Sequence, residues 1–484
     1  MTGTPADIAC LVDGRWRAGR GPELRSINPS RPTDVVGAGT SASIADLDDA
    51  VGSAGRALPG WAATPAHERA ALLVRAAGSV EAAAPVWGRE LAAEEGKTAA
   101  EGVGEVVRAA QVLRYAAGEA DREAGELFHS PRRGEQIMVA RRPIGVVGVI
   151  TPFNFPIAIP AWKIAPALVH GNTLVWKPAS TVPVLAMRLA GALHDAGLPA
   201  GVLNLVPADV DAGQHLVEHP GLAGITFTGS TGVGRAIAAS AAARGVPVQA
   251  EMGGKNPAVV LDDADLDLAV EQVLLGAFRS TGQKCTATSR VVVQSGIADE
   301  FLAAFTRRAE DLVVGDAVAD GTQMGPVVSA GARAGVQAGI DRALSEGARS
   351  LTGGEAYRSG ELAEGWFVPP TVLELDSDRP ALWREELFGP VVAVRRADDV
   401  ASAFAMADDS EFGLSAAVFT RDIATALSAV QHLDVGILHV NSETAGADPH
   451  VPFGGAKGSG YGPKEQGRAS REFFTHTTTV YLRG

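Results

Sequence analysis

The sequence predicts an α/β protein with two parallel-sheet regions in succession. Three observations carry this. From residue 140 onward, short β-branched runs alternate with helical segments, the pattern of βαβ units. The runs read as continuous Val, Ile and Leu, as strands buried on both faces do. A chain of 484 residues also exceeds one ordinary domain.

The elements follow in order. Residues 46–120, rich in Ala, Glu and Arg at helical spacing, are expected to form several surface helices. "PIGVVGVITPF" reads as a strand and "IAIPAWKIAPALVHG" as a helix despite its prolines. "NTLVWKP" is a strand, and residues 183–197 form a helix stopped at Gly197. "GVLNLV", "AGITFTG" and "VPVQAEMGG" continue the strands, with "AGQHLVEH" and "TGVGRAIAASAAARG" as the helices between them. A second alternating region runs from "NPAVVL" at 256–261 to about 440, with "SRVVVQ", a helix near 298–312 and "SAAVFT". Residues 123–142 and 466–484 fit neither region. Their "EQIMVARR" and "TTTVYLR" read as exposed strands able to pair with another chain.

Hydrophobic residues make up 46% and charged residues 20%, ample material for a core. The net charge of −14, without a basic run, argues against nucleic acid and anionic membrane as partners. The longest apolar runs contain Pro and Lys and are too short to span a bilayer. Cys10 and Cys285 make neither a disulfide framework nor a zinc pattern, so no metal is expected and a reducing compartment fits. The opening "MTGTPADIACLVDGRW" lacks a basic segment followed by an apolar core, and a cytoplasmic location is expected. Only seven residues are lysine in this arginine-rich chain, so a retained lysine draws notice.

Several short stretches carry chemistry, each with a plainer alternative. "FTGSTGVG" places Gly229, Gly232 and Gly234 between a strand and a helix, where free backbone N–H groups can hold a phosphate or simply make a tight turn. Asn154 in "TPFNFP" can donate to an oxyanion or satisfy its own turn. Lys177 in "VWKPAS" ends a strand, suited to ribose or phosphate, or to solvent. Glu251 in "AEMGGKNP" is a candidate general base or a structural ion pair. Cys285 sits in the polar stretch "RSTGQKCTATSR". It is either a nucleophile or a small buried thiol, and no histidine is placed to activate it.

Together these stretches resemble the aldehyde dehydrogenase superfamily from end to end. "TPFNFP", "AWKIAPAL", "WKPAS", "FTGSTGVG", "EMGGKNP", "GQKCTATSR", "EELFGP" and "PFGGAKGSGYGPKEQG" stand in that family's order. The resemblance implies a Rossmann-type cofactor domain (1–122 and 143–253) and an α/β catalytic domain (254–450). It adds a small β oligomerisation element (123–142 and 466–484) and a connecting segment at 451–465. It makes Cys285 the nucleophile, with Asn154 and the Cys285 amide holding the oxyanion. Glu251 then activates the water that hydrolyses the thioester, and Lys163 and Glu465 carry its protons. NAD or NADP is the implied cofactor. Lys177 meets its adenosine ribose, Gly229, Ser230 and Gly234 its pyrophosphate, Glu386 its nicotinamide ribose and Phe388 its ring. Thr151, Pro152, Phe153, Ser180, Gly213 and Thr228 complete the cofactor set, and Phe155 joins the substrate site. A homodimer or homotetramer is implied.

Two departures bear on the cofactor. Some members carry Glu three residues after the ribose lysine, which disfavours a 2′-phosphate; here that position is Ser180. The loop "PADVDAG" at 207–213 is also poorer in glycine than usual. Arg279 lies six residues before Cys285, where succinate-semialdehyde-like members hold a substrate carboxylate. A finer resemblance, to 2-ketoglutarate semialdehyde dehydrogenases, makes that anionic aldehyde the first expectation. Succinate or glutarate semialdehyde follows, then aromatic or aliphatic aldehydes. A non-catalytic nucleotide-binding scaffold and a CoA-acylating enzyme are the competing classes. The presence of Asn154, Glu251 and Cys285 speaks against the first, and Glu251 against the second.

Overall fold

The structure is a computed structural model that describes residues 5–378 and 380–484. Residues 1–4, which open the first expected segment, and Arg379, inside the second, lie outside the described residues. Two large sheets organise the chain. In the first, Val248–Glu251, Gly224–Thr228, Val146–Ile150, Thr173–Lys177 and Leu203–Leu205 run parallel in that order. Antiparallel Gly460–Tyr461 covers one edge, and Cys10–Val12 with Arg15–Arg17 covers the other. In the second sheet, Thr371–Glu374, Val391–Ala397, Thr288–Gln294, Asn256–Val260, Ser415–Phe419 and Ile437–Val440 run parallel. Arg349–Thr352 closes it antiparallel.

Register decides what the sheets can present. Ile150 pairs with Lys177 and with Phe227, and Thr228 pairs with Glu251. The loop from Thr151, together with Lys177, Thr228 and Glu251, therefore lies along the carboxyl ends of one sheet. Ligands of open α/β sheets gather at those ends. The strand Val248–Glu251 passes through Met252–Lys255 into Asn256–Val260 of the second sheet. Asn256 pairs there with Thr288, which follows Cys285 closely in sequence. The carboxyl edge of the first sheet thus meets the segment that carries the thiol.

Residues 46–120 depart from the expectation of surface helices. They form Ile44–Ala63, Ala66–Glu95 and Ala99–Ala117, with Pro59 and Pro85 accommodated inside the first two. Leu73, Val80, Leu91, Val106 and Leu113 are buried in one core with the helix Ala158–Val169, every residue of which is buried. The alanines that read as neutral helix formers are small because helices pack closely here. The five short strands between Ala6 and Thr40 were not anticipated either. Segments 123–142 and 466–484 pair with each other: Thr475–Arg483 lies antiparallel to Glu135–Pro143, and Gly125–His129 lies on its far side.

Candidate active site

The helix Leu266–Phe278 ends in a left-handed kink before Cys285. Ser280 and Thr281 have φ of 51° and 55°, and Gly282 follows at 67°. Non-glycine residues adopt this conformation at a cost of about 1 kcal/mol or more each. Surrounding bonds hold it: Glu101 accepts the Ser280 N–H at 2.7 Å, and Thr281 Oγ1 donates to the Gly325 carbonyl at 3.1 Å. Asn256 Nδ2 donates to the carbonyls of Cys285 (2.8 Å) and Ala287 (2.9 Å). The Cys285 side chain is half-buried. Burial first, then the charges of Glu386 and Glu251, push its thiol up to about 12. The Thr286 and Cys285 amides act in the opposite direction.

Asn154 is buried and joined to the same segment. Its Nδ2 donates to the Gln283 carbonyl at 2.9 Å. One N–H of the amide is fixed in this way, and the other is left for a ligand.

Glu251 ends its strand in a closed pocket of carboxylates and lysines. Its Oε2 accepts the Gly455 N–H at 3.1 Å. Burial, then the Glu465 charge, raises its pKa well above the ordinary carboxylate range, against the Gly455 amide, Lys163 and Lys464. Lys163 Nζ donates to Glu465, to Thr226 Oγ1 at 3.0 Å and to the Phe227 carbonyl at 3.1 Å. Lys163, Glu465 and Glu251 therefore form one buried electrostatic unit.

The residues implied for a cofactor lie along the first sheet's carboxyl edge. Thr151 Oγ1 accepts from Trp176 Nε1 at 2.9 Å, fixing the start of the loop through Pro152 and Phe153. Phe153 meets Phe388 edge to face at 5.7 Å. Lys177 Nζ has only a 3.4 Å bond to the Pro178 carbonyl, with half-buried Ser180 three residues on. Gly213 packs on Lys177: a Cβ there would lie 2.9 Å from Lys177 Cε. Ser230 starts the helix Thr231–Ala242 without capping it through its side chain. Gly229 donates its N–H to the Glu251 carbonyl at 3.1 Å, and Gly234 lies against Met252. Glu386 Oε1 accepts the Gly254 N–H at 3.0 Å, and burial raises its carboxyl to about 7.

This edge fits NAD(P). It offers a helix start that Ser230 does not cap and, among the described residues, a Lys177 ammonium without a carboxylate bond. Thr228 Oγ1 is buried without a hydrogen-bond partner among the described residues.

A cavity of about 450 Å³ is lined in part by Cys285. Of the residues implied for substrate, Cys285, Arg279 and Phe155 line it. Asn154 and Glu251 do not line it; Asn154 is bonded to the Gln283 carbonyl, and the Glu251 charge acts on the thiol. The cavity also takes Lys97, Glu105, Arg108, Trp162, Lys284 and Glu443, none of which the sequence reading singled out for substrate. Glu443 is shared: Arg279 Nη1 and Lys284 Nζ both lie 3.4 Å from it. Arg108 pairs with Asp448 at 3.2 Å. The signal available for Lys97 and Lys284 was the scarcity of lysine. None was available for Arg108, one arginine among many.

Asp48, His215 and His219 also converge, on the surface. His219 Nδ1 accepts the Gly221 N–H at 3.0 Å, so its Nε2 carries the proton and faces Asp48 rather than offering a lone pair. The group is a hydrogen-bonded tie between helices.

Comparison with known proteins agrees with this geometry. The model of the aldehyde dehydrogenase family matches residues 16–480. Alpha-ketoglutaric semialdehyde dehydrogenase of Bacillus subtilis is 42% identical, over 98% of this chain and 97% of its own. Alpha-ketoglutarate semialdehyde dehydrogenase of Haloferax volcanii is 40% identical, over 97% and 98%. The crystal structure of betaine aldehyde dehydrogenase from Staphylococcus aureus in complex with NAD+ superposes with a TM-score of 0.95. It is 31% identical, over 98% of this chain and 94% of that one. A thiol facing a cavity, a cofactor-shaped sheet edge behind it and a match along nearly the whole chain lead to one assignment: the protein belongs to the aldehyde dehydrogenase family, oxidoreductases that act on aldehydes with NAD or NADP.

Proposed function

We propose that the enzyme oxidises an anionic semialdehyde, 2-ketoglutarate semialdehyde first, to its carboxylate through a thioester on Cys285. The observation that carries the substrate class is the charge of the cavity. One carboxylate, Glu443, serves two cations, and both contacts are longer than the 2.7–2.9 Å or so of a strong charge-assisted bond. Arg279 keeps guanidinium donors free for a substrate carboxylate. The names of the two semialdehyde-oxidising relatives support the same reading.

The Cys285 thiol gives its proton to solvent and its sulfur adds to the carbonyl carbon; the free N–H of Asn154 with the Cys285 amide stabilises the oxyanion, and loss of hydride from this adduct leaves the thioester. The bound NAD(P)+ supplies the hydride acceptor. Glu251, held in a poorly solvated pocket, takes a proton from the water that cleaves the thioester, and Lys163 with Glu465 passes it outward. Asp209 caps the helix Val210–Glu218, whose first turn packs on Lys177, and its charge supports the Lys177 ammonium. A carboxylate there would oppose a 2′-phosphate, so NAD is the cofactor we favour over NADP. The exposed Leu127, Phe128, Tyr481 and Leu482 of the three-stranded sheet mark it as the contact of a homodimer or homotetramer. Among the described residues no helix is long and apolar enough to cross a membrane. We place the enzyme in the cytoplasm on its two unpaired cysteines.

The test is reduction of NAD and NADP with 2-ketoglutarate, succinate and glutarate semialdehydes beside neutral aldehydes. Higher kcat/KM on a neutral aldehyde overturns the substrate class. Arg279→Ala is expected to raise KM for the carboxylated substrates about 10- to 100-fold, the worth of a charged hydrogen bond, and to leave neutral aldehydes nearly unchanged. Equal effects on both would show that Arg279 is structural.

A further inference from the structure

The turn that opens the helix Ala99–Ala117 touches both halves of the reacting centre. Lys97 and Glu105 are each about 1% exposed and form an ion pair at 2.7 Å. Lys97 Nζ also donates to the backbone carbonyl of Asn154 at 2.6 Å and lies 3.9 Å from the centre of the Phe155 ring. The other oxygen of Glu105 accepts the N–H groups of Ile157 (3.0 Å) and Ala158 (3.2 Å). These bonds cap the helix Ala158–Val169, which its own Ile157 does not cap.

One turn earlier on the same helix, Glu101 closes a capping box with Thr98 and accepts the Ser280 N–H at 2.7 Å. Glu101 thus holds the left-handed segment before Cys285, while Lys97 and Glu105 hold the loop of Asn154. The direct bond from Asn154 to the Gln283 carbonyl closes the ring.

We propose that Lys97, Glu101 and Glu105 are positioning residues that clamp the oxyanion loop and the nucleophile loop to one rigid helix turn, setting the Asn154 amide against Cys285. The proposal rests on the oxyanion role of Asn154 given above. The Lys97 and Glu105 side chains are almost fully buried, and the segment before Cys285 departs from regular backbone geometry at Ser280 and Thr281. A buried pair is poor evidence of stability, since neutral residues of similar volume often replace one without loss. Its use here is geometric. Displacing a catalytic group by about 1 Å can cost about 100-fold in rate.

The experiment is a cycle on the full-length enzyme with Lys97→Met/Glu105→Gln, Asn154→Ala and their combination. The clamp predicts that the paired exchange lowers kcat about 10- to 100-fold, with KM for cofactor within about twofold and thermal unfolding nearly unmoved. In the Asn154→Ala background the same exchange should cost less than about twofold, because the group it positions is gone. Losses that multiply independently overturn the clamp alone. An unaffected kcat in Asn154→Ala overturns the oxyanion role and the clamp with it. Where the paired exchange does not fold, Glu105→Gln alone serves. It keeps an oxygen for Ile157 and Ala158 and removes only the charge that holds Lys97, and an unchanged kcat in it also overturns the clamp.

Discussion

Cys285→Ser is expected to lower kcat for aldehyde oxidation by about 10⁴-fold or more while leaving NAD(P) binding within about twofold. A serine hydroxyl cannot replace the thiolate in a cavity that, among the described residues, no histidine lines. Stopped-flow reduction and cofactor titration on the same sample check both halves, and near-normal turnover would remove Cys285 from the chemistry. The thiol has its own pH signature. With cofactor absent, burial, Glu386 and Glu251 hold it near 12, so the thiolate fraction at neutral pH is small. Alkylation by iodoacetamide should therefore accelerate about tenfold per pH unit from 7 upward. Cys10 is fully buried and its thiol is also pushed up to about 12, so the label reports Cys285. A plateau below pH 8 would show a cation near the sulfur that the structure does not place there.

Glu251→Gln carries the second large effect. Acylation should still deliver about one equivalent of reduced cofactor per site in the first turnover. Steady-state turnover should then fall about 10²- to 10⁴-fold, the range for removal of a general base. The burst separates this outcome from a folding defect, which would reduce both phases together. Loss of the burst with the steady state would instead assign Glu251 to deprotonation of Cys285. The raised pKa of Glu251 sets the direction with pH: its carboxylate form grows with pH, so hydrolysis should quicken toward the alkaline side.

The five parallel strands of the first sheet and three of the second, Asn256–Val260, Thr288–Gln294 and Ser415–Phe419, were legible as short apolar runs; Thr371–Glu374, Val391–Ala397 and Ile437–Val440 were not singled out. The environment of residues 46–120 was not legible. A tract of Ala, Glu and Arg has the same texture on a surface as in a core where small residues let helices approach. Glu101 and Glu105 were hidden for the same reason, since charges at helical spacing ordinarily read as a solvated face. At the site, Cys285 and Glu251 stood out as reactive types beside small or glycine residues, and Asn154 as an amide set between aromatics and prolines. That Glu443 faces Arg279 could not be foreseen. Their 164-residue separation leaves no local pattern, and the contact exists only once the two chain segments fold together.

The strand bearing Glu251 has Gly460–Tyr461 as its outer neighbour, and Glu465 and Gly455 complete the pocket around that carboxylate. All four residues lie 204 or more positions beyond Glu251 in the sequence. A nascent chain can therefore assemble the sheet that fits the cofactor well before it owns a working base, and domains do fold in that order during synthesis. A chain cut before residue 450 would lack Gly455 and Glu465, and with them the bond and the charge that set the environment of Glu251. The base of this protein depends on residues 455 and 465 as much as on the strand that bears it.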